Sequence, residues 1–167
     1  LDYMKEHMAG RGVGPGPALG QESFVREFPL ELVSYAKPVI AAINGDAFGV
    51  GVTMTLGCDV RIAADNARLG LNFTSLGLLP GLGSTHLLPQ LVGAPKALEW
   101  VLSGAVVTAA EAASAGLLQR VVAPDRLADE ALALATAMAE KRPEVLAAAK
   151  MALRQGPSST MAEAMQL

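Results

Sequence analysis

The chain has 167 residues, of which 51% are apolar and 17% are charged, and its formal net charge is −3. This composition predicts one packed domain and excludes an intrinsically disordered chain. The acidic balance gives no basic patch for nucleic acid, and the apolar runs are too short to cross a bilayer. The single cysteine, Cys58, excludes an internal disulfide framework and is typical of a reducing compartment. We therefore expect a cytoplasmic protein without nucleic-acid or membrane partners.

The first 36 residues have an uneven pattern. Residues 2–8 predict a short helix, and residues 9–21 are so rich in glycine and proline that they predict a flexible loop. A lid at the edge of a ligand site is the alternative, because long loops inside a domain tend to be functional. The loop lacks the preceding strand and the Lys-Ser/Thr pair of a phosphate-binding loop. Residues 22–34 predict a helix.

The middle of the chain alternates between strand and helix patterns. Residues 38–43 form a β-branched apolar run that predicts a buried strand, and Asn44-Gly45-Asp46 predicts a turn after it. A glycine-rich segment, residues 47–51, then opens an apolar helix that continues through Leu56. Further predicted elements are strands at 60–64 and 68–71, a loop at 77–83 and a helix at 84–91.

The rest of the chain is predominantly helical. Thr108 and Glu111 have the spacing of a capping box, and Pro143 stands where a first helical residue is expected. The predicted elements are helices at 94–102, 108–116, 125–141 and 144–154, a strand at 117–122 and a truncated helix from Thr160. The pattern predicts an α/β fold, with a core in residues 1–92 and a helical region with one strand in residues 93–167.

The glycine-rich turn before the helix is a candidate binding element. The first amides of a helix have no partners within it and lie at the positive end of its dipole. Gly49 and Gly51 allow a ligand to approach the backbone closely, so that the Val50 amide between them can donate to a polarised carbonyl oxygen. The alternative is that both glycines serve only the packing of the strand against the helix.

Several motifs resemble the crotonase (enoyl-CoA hydratase/isomerase) superfamily. Residues 37–45 and 47–51, K-P-V-I-A-A-I-N-G and A-F-G-V-G, are similar to its signature K-P-V-I-A-A-V-N-G-x-A-x-G-G-G. Residues 58–59 and 76–85 resemble the later C-D and L-G-x-x-P-G-x-G-G-T elements. Residues 102–104, 108–112 and 115–118 continue the resemblance in the family's order, which extends over about residues 37–156.

The resemblance implies a core of ββα units in a spiral, with a C-terminal helical tail that builds a homotrimer or a dimer of trimers. It implies acyl-CoA thioesters as substrates and no cofactor beyond coenzyme A as part of the substrate. The thioester oxygen would sit in an oxyanion hole, with the Val50 amide as one donor; the second donor and the leading strands would precede Leu1. The positions that match the family's pocket are Leu1, Gly49, Val50, Gly51, Asn72, Phe73, Leu76 and Gly81.

The acidic residues that the family uses for proton transfer are absent. The two hydratase glutamates correspond to Thr53 and Phe73, and the isomerase glutamate corresponds to Gly81. A positioned acid or base typically supplies about 10² to 10⁴-fold in rate, and none of these side chains can fill that role. Asp46 and Thr53 are the weak catalytic candidates that remain. His86 also lies near the site in sequence, with a helix-surface role as the alternative.

Three functional hypotheses follow. The first is an enoyl-CoA hydratase/isomerase-like enzyme that stabilises a thioester oxyanion or enolate with the Val50 amide. The second is an inactive subunit kept for acyl-CoA binding or oligomer assembly, and the third is that the chain is a piece of a longer active protein. No Cys/His cluster has metal-ligand spacing, so we expect no metal.

Overall fold

A computed structural model of the chain describes residues 22–166, so the predicted helix at 2–8 and the predicted loop at 9–21 lie outside the described part. The described residues form six strands and eight α-helices, with short 3₁₀ turns between some of them. The strands are β1 (Ile40–Ile43), β2 (Ala47–Phe48), β3 (Val60–Ala64), β4 (Arg68–Gly70), β5 (Val106–Thr108) and β6 (Arg120–Val122). The helices are α1 (Ser23–Ser34), α2 (Val50–Thr53), α3 (Ser84–Val92), α4 (Ala94–Ser103), α5 (Ala109–Ser114), α6 (Leu127–Ala139), α7 (Pro143–Gln155) and α8 (Met161–Ala164).

The strands form two three-stranded sheets. The first has the order β1-β3-β6 with all strands parallel, and the second has the order β2-β4-β5. In the second sheet β2 runs parallel to β4, whereas β5 runs antiparallel to it. Because parallel neighbours need long crossovers, helix α2 lies along the chain between β1 and its partner β3 and between β2 and its partner β4. The predicted α/β class is confirmed.

The central strand β3 is buried on both faces. Ala63 belongs to the main apolar cluster, together with core residues such as Val52, Leu88 and Trp100. Ile62 and Ala64 point to the other side and join a smaller cluster that includes Leu127 of α6. Such two-sided burial is typical of parallel strands between helical layers. By contrast, β1 lies at the edge of its sheet as far as residues 22–166 show, and of its four residues only Ile43 is buried, so burial of the whole 38–43 run was predicted wrongly.

Helix α2 is shorter than the sequence predicts. It ends at Thr53, and residues 54–57 form turns instead of continuing the helix to Leu56. The guanidinium of Arg61 explains this difference. Its Nη1 donates to the carbonyl of Cys58 at 2.7 Å and, at longer distances, to those of Thr55 and Leu56. Only the folded chain brings that cation to these carbonyls.

The region around β5 and β6 also differs from the prediction. β5 was not predicted as a strand, and it exists because it pairs with β4. β6 begins at Arg120 and not at Leu117, because the amides of Leu117 and Leu118 both donate to the carbonyl of Ala112 at the end of α5. Gly116, with a φ of 90°, turns the chain so that these two amides reach the Ala112 carbonyl.

The predicted capping box at Thr108 and the predicted helix start at Pro143 are confirmed, whereas the helix predicted at 125–141 extends over Leu127–Ala139 and follows a 3₁₀ turn. The Thr108 hydroxyl accepts the Glu111 amide, and the Glu111 carboxylate accepts the Thr108 N–H at 2.8 Å, which completes the capping box. Thr160 forms the same arrangement with Glu163, and Pro143 is the first residue of α7. Within residues 22–166, no helix combines the length and apolar character that crossing a membrane needs.

Candidate functional site

The turn between β2 and α2 has a backbone geometry that only glycine adopts easily. Gly49 has φ 53° and ψ −114°, which lies outside the regions open to residues with a side chain. Its N–H donates to the carbonyl of Gly70 at 2.8 Å, which fastens the turn to β4. Its own carbonyl accepts hydrogen bonds from the amides of Val52 and Thr53. The backbone of Gly49 is therefore bonded to β4 through its N–H and to α2 through its carbonyl.

This turn presents the Val50 amide at the start of α2. Within the described part of the chain, the Val50 N–H has no hydrogen-bond partner, whereas the Val50 carbonyl accepts the Met54 amide at 2.9 Å. The Val50 residue is 49% exposed. A first helical N–H in this position is a donor that a ligand can use. Two cavities, of about 370 and 350 Å³, lie against α7 and are not lined by Val50.

Phe73 lies directly against the glycine turn. A Cβ atom on Gly49 would come within 3.7 Å of the Phe73 ring, and Phe73 itself is 7% exposed. The position at which the resemblance implies a hydratase carboxylate thus holds an apolar ring next to Gly49. That Gly49, Val50 and Phe73 line one substrate pocket stays a prediction.

Thr53 is buried inside the core. It is 1% exposed, and its hydroxyl lies 3.5 Å from the Val50 carbonyl within the same short helix. Among residues 22–166 the Thr53 hydroxyl has no hydrogen-bond partner other than this distant carbonyl. The proposed contact of the Thr53 hydroxyl with a thioester or a water stays a prediction.

Asp46 is held by an arginine on the neighbouring strand. The Arg68 guanidinium forms an ion pair with the Asp46 carboxylate through Nη2 and Nε, and the Arg68 backbone N–H donates to it at 3.1 Å. The side-chain hydrogen bond from Arg68 holds the pKa of Asp46 below its ordinary value. Asp46 therefore fastens the turn after β1 to β4, and as an ionised, paired group it is a poor general acid.

The remaining predicted positions surround the loop before α3. Asn72 is partly buried, Leu76 is exposed at 41%, and Gly81 lies within van der Waals reach of Val25 in α1. The His86 ring is exposed, with its Nε2 at 2.9 Å from the Gln90 side chain, as expected for a helix-surface residue. The position of Leu1 is outside the described residues. Residues 22–166 contain no cluster of three or more His, Cys, Asp or Glu side chains that would hold a metal.

Buried charges between α7 and the core were missed by the sequence reasoning. Asp59 accepts the Val39 N–H and forms ion pairs with Lys150 at 2.8 Å and Arg154 at 2.7 Å. Arg61 is 2% exposed and donates only to backbone carbonyls and to the Gln119 side chain. The available signal was the presence of Arg61 in an apolar strand and of Lys150 in an alanine-rich helix, because buried cations need fixed partners.

A first prediction concerns Gly49. Gly49→Ala places a Cβ in a region of φ and ψ that costs on the order of 1–3 kcal/mol, so we expect a loss of stability of that size and a displaced Val50 amide. Gly45→Ala is the matched control, because a Cβ there meets nothing within 4 Å. Chemical denaturation of the two variants measures the difference. Equal free energies of unfolding for Gly49→Ala and Gly45→Ala would show that a side chain at residue 49 does not strain the turn.

Comparison with known proteins identifies relatives of this arrangement. The family model for enoyl-CoA hydratase/isomerase matches residues 13–167. The chain is 47% identical over 124 residues to the 2,3-dehydroadipyl-CoA hydratase of Escherichia coli K12, covering 74% of this chain and 49% of that protein. It is 37% identical over 150 residues to the 1,2-epoxyphenylacetyl-CoA isomerase of the same strain, covering 89% of this chain and 57% of that protein.

A solved structure supports the same relationship. A Thermobifida fusca YX protein, provisionally named an enoyl-CoA hydratase and crystallised with acetoacetyl-CoA, has a TM-score of 0.80 and 35% identity. The alignment covers 83% of this chain and 54% of that one. The chain thus spans about half the length of the relatives that it matches. Both sequence and fold lead to one conclusion: the chain belongs to the enoyl-CoA hydratase/isomerase family of the crotonase superfamily.

Proposed function

We propose that the chain binds acyl-CoA thioesters and stabilises the thioester oxyanion or enolate with the backbone amide of Val50. The observation that carries this proposal is the Val50 N–H at the first position of α2, which has no hydrogen-bond partner among residues 22–166 and follows a glycine turn bonded to β4. Negative charge that develops on a thioester oxygen gains most from a donor that is already in place. The crystallisation of a relative with acetoacetyl-CoA supports the class of ligand.

The proposed substrate pocket includes Leu1, Gly49, Val50, Gly51, Asn72, Phe73, Leu76 and Gly81. In this pocket the Phe73 ring makes the acyl end more apolar than a carboxylate would. An apolar wall excludes water and strengthens the hydrogen bond from the Val50 amide to a charged oxygen. The same wall provides no group that activates a water molecule. We therefore propose stabilisation of an enolate as the main chemical contribution and inefficient hydration of enoyl-CoA.

An inactive acyl-CoA-binding or oligomer-assembly subunit is the second candidate function. The buried state of Thr53 and the ring of Phe73 favour it, because neither side chain transfers protons at the positions in question. Exposed apolar residues of the C-terminal helices would suit assembly into a homotrimer or a dimer of trimers. They are Leu132, Val145, Leu153, Met161 and Met165.

Steady-state assays with crotonyl-CoA and with a 3-enoyl-CoA separate the two functions. We expect isomerisation of the 3-enoyl-CoA above the rate in buffer and little hydration of crotonyl-CoA. Because residues 53, 73 and 81 are not acidic, solvent water would take the proton from C2 and return one at C4. Binding of both thioesters without turnover of either would select the inactive subunit. Absence of binding would contradict the first proposal and would leave only the assembly role of the second.

A second prediction installs one missing carboxylate. Phe73→Glu places an acid beside Gly49 and Val50, so we expect hydration of crotonyl-CoA to rise by at least about tenfold, part of what a positioned acid or base supplies. Phe73→Gln is the control, because its side chain has nearly the same shape and does not ionise. A thermal melt of both variants checks that the loss of the ring leaves the fold intact. Equal rates in the two folded variants would place residue 73 outside the reactive centre.

A further inference from the structure

Two adjoining cavities lie between helix α7 and the residues on which it packs. The first has a volume of about 370 Å³ and the second about 350 Å³, and Pro38, Met138 and Leu146 line both of them. Ligand sites in proteins are typically cavities of roughly 300–1,000 Å³ with mainly apolar walls and a few convergent polar groups. The two cavities have this character, and they lie apart from the Val50 turn.

The charged groups that line these cavities are mostly cations. Arg61, Lys150 and Arg154 line the first cavity, and the one carboxylate among its lining residues is Asp59. The second cavity is lined by Lys37 and Lys141 and by no acidic residue. The chain as a whole has a formal net charge of −3. Positive charge is thus concentrated around an apolar space in an acidic protein.

The positive charge of the first cavity is only partly neutralised. Burial raises the pKa of Asp59, but hydrogen bonds from Lys150, Arg154 and the Val39 N–H outweigh it and hold that pKa below its ordinary value, so the carboxylate is ionised at neutral pH. Burial raises the pKa of the Cys58 thiol, which therefore brings no negative charge. Arg61 donates to neutral oxygen atoms. One carboxylate faces three cations.

Two of these cations keep unused donors. Arg154 binds Asp59 and the Gly57 carbonyl through Nε and Nη2, and no hydrogen bond of its Nη1 is recorded within residues 22–166. The Lys150 ammonium has three N–H groups, of which one donates to Asp59 and one to the Lys37 carbonyl. The third N–H group has no further partner among residues 22–166. Lys150 is only 8% exposed, so the remaining donor is not simply solvated at the surface.

We propose that these cavities bind an amphiphilic carboxylate, such as a medium-chain fatty acid. The carboxylate would lie against Arg154 and Lys150, and the alkyl chain would extend along Leu146 and Met138 towards the second cavity. Charge-assisted hydrogen bonds hold the head group, and the buried apolar area holds the chain. Leu56 and Cys58 line the first cavity and lie in the segment that directly follows α2. The ligand would therefore contact the segment next to the helix whose first residue is Val50.

Calorimetric titration of the protein with octanoate, octanol and acetate tests the two parts of this recognition. We expect saturable binding of octanoate that is at least about tenfold tighter than that of octanol, because octanol lacks the charge-assisted hydrogen bonds. Acetate should bind at least as weakly as octanol, because it lacks the alkyl chain. Absence of octanoate binding, or equal binding of octanoate and octanol, would overturn the proposal.

Two alanine variants in α7 locate the site. Ala149 lines the first cavity, whereas Ala148 is an exposed neighbour that does not. Ala149→Leu fills part of the cavity without changing a charge, so it should weaken octanoate binding by at least about tenfold while Ala148→Leu leaves it unchanged. Unchanged binding by a folded Ala149→Leu variant would place octanoate elsewhere, for example in the acyl-CoA pocket, and would also overturn the proposal. Retained acyl-CoA binding by this variant distinguishes the cavity from the thioester site.

Discussion

Val50→Pro is expected to lower acyl-CoA turnover by roughly 10²–10³-fold, which is what the loss of one oxyanion donor costs. Proline removes the N–H and keeps the backbone φ that a first helical residue needs, so the variant should fold. The expected loss comes from the transition state, and it should therefore reduce kcat more than it raises KM. Steady-state kinetics with the 3-enoyl-CoA measures both parameters.

Val50→Ala is the matched control. It removes the exposed side chain and retains the N–H, so its kcat should stay within a small factor of the original chain. If both variants fold and turn over substrate equally well, the backbone of residue 50 has no part in the chemistry. The family membership would then stand without the proposed mechanism.

Asp59→Asn is expected to lower the free energy of unfolding by about 3 kcal/mol, or roughly 10 °C in Tm. The amide cannot balance the charges of Lys150 and Arg154, and Lys150 is 8% exposed. Because these ion pairs join α7 to the start of β3, their loss loosens the contact between the C-terminal helices and the core. Chemical denaturation at neutral pH measures the change. The exposed Asp65, changed to Asn, serves as the control and should be nearly neutral.

The effect of Asp59→Asn depends on pH in a defined direction. The folded-state pKa of Asp59 lies below its ordinary value of 3.8, so its ionisation stabilises the fold above about that pH. As the pH falls below 3.8 and through the folded-state pKa, the carboxylate takes up a proton and this stability is lost. The stabilities of the original chain and of the variant should therefore converge in acid. A constant difference at all pH values would show that Asp59 acts through its shape and not its charge.

The candidate site was predicted from local signals. Gly49, Val50 and Gly51 between a strand and a helix indicated a backbone donor, and among residues 22–166 the Val50 N–H has no hydrogen-bond partner. Its use by a ligand stays a prediction. The capping residues Thr108 and Thr160 could also be predicted from the sequence, because a cap forms among residues three positions apart. Such features depend on neighbours in sequence and need no knowledge of the fold.

Other features depended on residues that are distant in sequence. The early end of α2 is due to the approach of Arg61, and the pairing of Asp46 with Arg68 joins positions that are 22 apart. The ring of Phe73 beside Gly49 is likewise a contact between two strand-connecting loops. Hydrophobic periodicity and turn-forming residues contain no information on such long-range contacts.

The sequence by itself determined the α/β class and the family, because these depend on residue types at fixed spacing. That Thr53, Phe73 and Gly81 stand at the positions of the family's carboxylates stays a prediction. Only the tertiary structure decided which charged groups became buried partners. Lys150 and Arg154 reach Asp59 across 91 and 95 positions of chain, as their numbers show, and the cavities beside them exist only where α7 packs on the core. The physical reason is that burial and charge pairing are properties of packed surfaces, which no local pattern specifies.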